Sequence, residues 1–394
     1  MNPFLKSYGR QSIDEEDIQA VAEALRSDFL TTGPKVEEFE KKFSEYIGCK
    51  HAIAVANGTA ALELAVQCLQ LSPGSEVIVT PLTFMASANC ILYNNLKPVF
   101  CDIDIKTLNI NPEKTEAKIT KKTKAILYVD FGGRPCEIDK LSKIAKKHNL
   151  YLIEDACHAV GGGYHGKKLG CLADLTTFSF HPVKTITTGE GGMVTTENDE
   201  FAERIRMLRN HGMLKNDKLK LRKYGKDAFY EYDMAYLGRN YRLTDMQCAL
   251  GISQLKKIES FIEKRAKLVE LYNKLFKGVR GISTPLANID KENKYSWHLY
   301  YILLDKGINK NKFLNFMKSK GVGAHSFYIP IYNFSYYQER LGLGKEIKKE
   351  YPAAEEAFSR IVILPLFPSM SEEDVKYIVE CAKETIKAIK EVRT

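Results

Sequence analysis

No apolar run in this chain is long enough to cross a bilayer, which takes about 20 consecutive, mostly apolar residues in a helix. The first residues, MNPFLKSYGRQSIDEED, lack the apolar core of a signal peptide. There is no CxxC pair: the nine cysteines are scattered at 49, 68, 90, 101, 136, 157, 171, 248 and 381. Neither a disulfide framework nor a zinc-type spacing is therefore suggested. Cys157, His158, His165 and Cys171 fit no ligand spacing either, so no metal is expected. Cationic residues are abundant, giving a net charge of +9, yet no basic block interleaves with aromatics as a nucleic-acid groove would. Internal repeats and low-complexity stretches are lacking too. Together these absences argue against membrane and nucleic-acid partners. They leave a reduced, cytoplasmic enzyme, whose positive field would favour a small phosphate-bearing substrate.

With 394 residues, 44% hydrophobic and 27% charged, the chain can build two cores. Ser12 with Glu15 reads as a capping box opening a helix through Leu25. Pro34 stands where a first helical residue belongs, and Gly48 follows that helix's end. The runs 52–56, 76–80, 98–103, 125–131, 151–156 and 175–180 are short, apolar and β-rich, with helical segments 60–69, 86–92 and 138–148 among them. Strands separated by crossover helices predict an α/β fold with a mostly parallel sheet covered on both faces. A long helix, 244–268, leads away from it. Strands 296–304 and 360–366 with helices 311–320 and 372–389 form a smaller α/β unit. The expected division is a large cofactor-binding domain, 1–255, and a small C-terminal domain, 256–394. Residues 216–232 read as a polar, lysine-rich loop or insertion, either an active-site flap or merely mobile, with mobile the safer reading.

Ligands in such sheets bind beyond the strand C-terminal ends, and the chemically suggestive residues fall there. Lys184 lies in FSFHPVKTITTGEGG (178–192), with little charge around it. A neutral amine captures a carbonyl, and desolvation moves a lysine toward neutrality, so the setting suits imine chemistry and a pyridoxal phosphate (PLP) cofactor. Asp155, at the end of YLIEDA, is a carboxylate that is costly to bury without a cation, and a protonated pyridine nitrogen would supply one. Its neighbour Glu154 should face the other side of the sheet. Asn57-Gly58-Thr59 opens a helix after a strand, as a phosphate cradle requires, and Ser179 adds a hydroxyl. Phe84 could stack on a ring or simply pack in the core. His158 could sit near that ring or be a satisfied structural histidine. Gly161-Gly162-Gly163 and Gly189-x-Gly191-Gly192 follow no strand as GxGxxG, so no dinucleotide fold is expected.

The motifs NGTAAL, PLTFMAS, YVDFGG, IEDACHAVGG, FSFHPVKTITTGEGG, RNHGML and GRNYRLTDMQCALGISQLKKI, in this order, resemble the DegT/DnrJ/EryC1/StrS family. These are fold-type I, PLP-dependent nucleotide-sugar aminotransferases. The resemblance runs from LTTGPKVEEFE (30–40) to ILPLFPSM (363–370). HPVKTITTGEGG, RNHGML and LPLFPSM are closest to the branch of UDP-4-amino-4,6-dideoxy-N-acetyl-β-L-altrosamine transaminases of pseudaminic acid biosynthesis.

The resemblance implies a large sheet of the seven-stranded type. Lys184 matches the Schiff-base lysine and Asp155 the pyridine-nitrogen partner. Gly58, Thr59 and Ser179 match phosphate ligands, and Phe84 the stacking aromatic. His158 stands where many relatives have glutamine. Asn240 matches an asparagine that reaches the other subunit's phosphate, which implies a homodimer with shared active sites. Thr32, Arg242, His298 and Tyr328, with Pro330, are candidates for substrate contact. The implied reaction moves the amino group of L-glutamate to C4 of a UDP-4-keto-6-deoxy-N-acetylhexosamine. The alternatives are a C3-acting or dTDP-sugar enzyme of the same family, and a non-catalytic binding protein on this scaffold. Retention of Lys184, where some relatives carry histidine and dehydrate, favours transamination.

Overall fold

The computed structural model describes residues 3–215, 228, 230–287 and 292–391. Most of the polar stretch 216–232 lies outside these. Seven short strands form the central sheet: β1 (His51–Val55), β2 (Glu76–Val79), β3 (Lys97–Phe100), β4 (Thr123–Val129), β5 (Tyr151–Asp155), β6 (Leu175–Ser179) and β7 (Gly192–Thr196). Their spatial order is β1-β7-β6-β5-β4-β2-β3. The pairs β2–β3, β2–β4, β4–β5 and β5–β6 are parallel. Strand β7 runs antiparallel to both β1 and β6. The strands are almost wholly buried, as a sheet covered by helices on both faces requires.

Six expected strands are present, each within a few residues of its predicted bounds. The seventh, β7, is missed because GMVTT follows directly on a glycine-rich turn that reads as loop. Helix α1 (Glu15–Arg26) is capped by Asp14 in a capping box with Asp17, not by Ser12. Two acidic residues lie further along the same segment, and either pattern satisfies the first-turn amides. Helix α2 (Pro34–Ile47) starts on Pro34 and ends at Gly48, which has φ +78°, a left-handed conformation that glycine adopts without cost. Helices α3 (Gly58–Cys68), α4 (Ala86–Tyr93) and α5 (Ile138–His148) lie where expected.

The long helix, α6 (Asp245–Phe276), is capped by Thr244 and runs past Leu268. Beyond it, β8 (Ile282–Ser283), β9 (Tyr300–Leu304) and β10 (Ile361–Leu364) form an antiparallel sheet. The predicted strand 296–304 begins only at Tyr300. The amides of Ser296 and Leu299 instead donate to the carbonyls of Gly133 and Gly132, tying the small sheet to the loop after β4. That tie positions His298 and the wall of the site described next.

Candidate active site

The C-terminal ends of β1, β5 and β6 open into a cavity of about 480 Å³. Each polar wall follows from a local rule. The side chain of Asn57 caps α3, its Oδ1 accepting from the Ala60 amide at 2.9 Å. The Gly58 and Thr59 amides, in the first turn, have no acceptor within the helix, and both residues line the cavity. A Cβ on Gly58 would lie 2.8 Å from Ser179 Cβ, so only glycine lets the helix start approach the end of β6. Ser179 lines the cavity beside it.

Asp155 closes β5 and is 4% exposed. Its Oδ2 accepts from Ser87 Oγ at 2.7 Å, and its Oδ1 accepts from the Cys157 amide at 3.1 Å. Thr83 Oγ1 lies 2.9 Å from Ser87 Oγ. Because Ser87 donates to the carboxylate, Thr83 is the donor in that second contact. Two hydrogen bonds orient Asp155, but among the described residues no cation forms an ion pair with it. A carboxylate buried this way is costly unless a positive group pairs with it.

Lys184 lines the same cavity. Burial holds its pKa below the ordinary lysine value, with the neighbouring Cys157 and Asp155 opposing that shift. Burial raises the Cys157 thiol well above its usual range. Among the described residues, no hydrogen bond engages the Lys184 ammonium.

His158 is buried between the loop after β4 and Tyr328. Its Nδ1 accepts from the Gly132 amide at 3.3 Å, and its Nε2 lies 3.1 Å from Tyr328 Oη. Burial, then the charge of Lys184, push its pKa well below the usual value, so the ring is neutral. With Nδ1 accepting, Nε2 carries the proton and donates to Tyr328. The phenol proton of Tyr328 is then left free for the cavity. His298 lies behind His158, ring centroids 4.4 Å apart and ring planes tilted by 37°. It is likewise held neutral by burial.

Of the expected cofactor residues, Gly58, Thr59, Phe84, Asp155, His158, Ser179 and Lys184 all line the one cavity. Phe84 is 51% exposed and its ring lies 6.1 Å from that of Tyr328. Tyr328 also lines the cavity, whereas Thr32, Arg242, His298, Asn240 and Pro330 do not. Thr32 and Asn240 are exposed. Arg242 donates to Asn210 at 2.6 Å. Sequence reasoning passed over Thr83, Ser87 and Tyr8. The first two flank Phe84 in PLTFMAS, Thr83 in the bend before α4 and Ser87 in its first turn. Nothing in the sequence flags Tyr8.

The residues fit PLP. A helix start, a buried carboxylate and a desolvated lysine line one cavity of about 480 Å³. A cavity so lined at the strand ends of a mostly parallel sheet marks a PLP-dependent enzyme. The chain belongs to the DegT/DnrJ/EryC1/StrS aminotransferase family, whose profile matches residues 11–383, and within that class it is a sugar aminotransferase. It is 40% identical to a UDP-4-amino-4,6-dideoxy-N-acetyl-beta-L-altrosamine transaminase of Campylobacter jejuni over 98% of both chains. The spore coat polysaccharide biosynthesis protein SpsC of Bacillus subtilis is 39% identical over 98% of both. Helicobacter pylori PseC, an aminotransferase involved in the biosynthesis of pseudoaminic acid, superposes with a TM-score of 0.90 at 33% identity, covering 97% of this chain and 99% of that one. A Streptococcus pneumoniae chain described as a sugar aminotransferase, solved in its PLP form, gives 0.88 at 30% identity, covering 97% and 98%.

Proposed function

We propose that this enzyme uses PLP to move the amino group of L-glutamate to C4 of a UDP-linked 4-keto-6-deoxy-N-acetylhexosamine. The product would be the UDP-4-amino sugar of pseudaminic acid biosynthesis. The observation that carries the reaction is that the desolvated Lys184 shares one cavity with a buried Asp155 that has no cationic partner among the described residues. The choice of sugar rests on near-full-length similarity to the Campylobacter jejuni transaminase.

When bound, PLP supplies the electron sink that lets a proton leave the donor's Cα. The chain's own residues do the rest. The α3 amides and Ser179 would hold the phosphate, and Asp155 would keep the pyridine nitrogen protonated. Lys184 would carry the proton between the substrate carbon and the cofactor. Phe84 and His158 would flank the ring. Thr32, Arg242, His298 and Tyr328 are the proposed substrate-side residues, of which only Tyr328 lines the cavity of this chain. Asn240 is exposed and outside that cavity, which suits a role in a second copy's site. We therefore take the working unit to be a homodimer with shared sites. Nine reduced cysteines suit a reducing, cytoplasmic compartment.

SpsC, nearly as similar as the transaminase, supports a second reading in which the chemistry is the same and the nucleotide sugar differs. The test is a panel of UDP- and dTDP-linked 3-keto and 4-keto sugars with L-glutamate, read by product mass and configuration. Amination of the UDP-4-keto sugar is expected. Preference for a dTDP-3-keto sugar would overturn the choice of substrate. A purified protein that stays colourless with added PLP would revive a non-catalytic scaffold.

A further inference from the structure

The end of the sheet opposite the active-site cavity carries a second cluster of reactive groups. Cys49 follows α2 and leads into β1, Cys171 precedes β6, and Glu197 follows β7. These three strands are neighbours in the sheet, so residues far apart in sequence converge. One ligand atom from each lies within 4.8 Å of the others. Lys184 follows the far end of β6, about 15 Å away at the rise of a five-residue strand.

The three residues are held before any ligand arrives. The Gly48 and Cys49 amides both donate to the Ser44 carbonyl, at 2.8 and 3.1 Å, so the left-handed turn at Gly48 fixes where Cys49 points. Cys171 Sγ donates to the Gly48 carbonyl at 3.5 Å. A Cβ on Gly170 would lie 2.5 Å from Ile47 Cγ2, and its φ is +130°, so only glycine lets Cys171 come this close to the end of α2. Glu197 Oε1 accepts from the Lys50 amide at 3.0 Å, which orients the carboxylate. The nearby side chains of Lys50 and His51 are both engaged by Asp199, at 2.6 Å each. Cys49 is buried, Cys171 partly so and Glu197 exposed, which leaves an entry path on the carboxylate side.

We propose that Cys49, Cys171 and Glu197 form a binding site for a thiophilic divalent cation of the zinc type. Two sulfurs and one carboxylate oxygen are a donor set that zinc accepts and that magnesium or calcium does not favour. Three protein ligands leave a fourth, tetrahedral position for water. Among the described residues, no other group of three or more His, Cys, Asp or Glu side chains converges this closely. The cation would fasten α2, β1, β6 and β7 together and take no part in transamination. Linear spacing could not reveal it, because each ligand comes from a different element.

The test uses the full-length PLP-loaded enzyme, reduced, stripped with chelator and dialysed against zinc. Metal is then counted per chain by atomic emission. One zinc per chain is expected for the wild type, with two of the nine thiols protected from a thiol reagent. Cys171→Ser should lose both the zinc and the protection, and Glu197→Gln should bind more weakly. Both variants should keep wild-type transaminase activity, since neither touches the cavity. The zinc-loaded wild type should also melt at a higher temperature than the stripped form, a shift absent from Cys171→Ser. Reduced wild type that retains no zinc overturns the proposal. So does zinc retained equally by Cys171→Ser, or thiols lost in pairs on air oxidation with no zinc protection.

Discussion

The floor of the active-site cavity and its rim are built on different plans. The floor residues Asp155, Ser179, Gly58 and Lys184 stand at or just after strand ends of one sheet, and backbone geometry fixes them. The proposed rim residues Thr32, Asn240 and Arg242 sit on connecting segments outside the cavity that this chain forms alone. These floor residues all line the cavity of one chain, whereas Asn240 is proposed to reach the phosphate in a second copy's site. On the proposed roles, the reaction would depend on residues fixed by the sheet, and the choice of sugar on loops that can vary without disturbing the chemistry.

The largest expected effect strikes the floor. Lys184→Ala should abolish turnover and the cofactor's visible absorbance together, read by a coupled glutamate assay and by spectrum. An active variant with its band intact would refute the assignment of Lys184. Asp155→Asn keeps the size and removes the charge. We expect turnover to fall by about 10²–10³-fold, the usual loss when a preorganised electrostatic partner is removed. PLP should also dissociate more readily on dialysis. A fall of less than a few-fold would mean that the buried carboxylate is structural.

The rim predicts something the floor cannot. If Asn240 serves the other copy's site, Lys184→Ala and Asn240→Ala chains should complement each other when refolded together. A heterodimer holds one doubly damaged site and one intact site. An equal mixture should therefore recover roughly a quarter of wild-type activity, as two-fold symmetry with random pairing requires. Recovery no greater than the sum of the separate variants would place Asn240 in its own chain's site, or in none.

The floor was also the more legible part of the molecule. Lys184, Asp155, Gly58 and Ser179 could be located because each terminates or follows a short apolar strand, and strand ends in a parallel sheet converge. The opposite-facing neighbour was legible for the same reason. Glu154 alternates with Asp155 along β5 and faces away, where Thr176 Oγ1 donates to its Oε2 at 2.7 Å. Ser87 was not legible. It acts on Asp155 across 68 residues of chain, and a serine in a helix start has many commoner uses. Strand β7 hid behind glycines, and the cap of α1 slid from Ser12 to Asp14 because the segment offers two equivalent polar patterns. His298 was placed at the substrate but lies one layer back, since its predicted strand begins only at Tyr300. Periodicity marks elements, but not which residue of an element faces the ligand first.

Ser87 offers a finer probe of the floor. Ser87→Ala removes one charge-assisted hydrogen bond to Asp155, worth about 1.5–3 kcal/mol, while the Cys157 amide still holds the other oxygen. Turnover should fall about 10- to 100-fold, less than for Asp155→Asn, and Ser87→Thr should recover most of it. A loss as large as that of Asp155→Asn would mean that Ser87 does more than orient the carboxylate.

The smallest effect concerns stability, and it tests whether the layer behind the floor is tuned for neutrality. Burial holds His158 and His298 neutral, and each is further disfavoured as a cation by Lys184. Their folded pKa values lie well below the ordinary 6.5. Above pH 6.5 neither state takes up a proton at these rings, and the stability they permit is fully present. As pH falls below 6.5 the unfolded chain protonates while the folded one resists, so stability is lost. Each ring contributes a slope of about 1.4 kcal/mol per pH unit. Urea midpoints measured at intervals below neutrality should therefore fall for the wild type. In His298→Asn the part of that slope due to these two rings should roughly halve, at some cost in stability near neutral pH from disturbed packing against His158. An unchanged slope in that variant would mean that His298 already carries its proton in the folded enzyme. The neutral tautomer assigned to His158, and the free phenol proton of Tyr328 that follows from it, would then need revision.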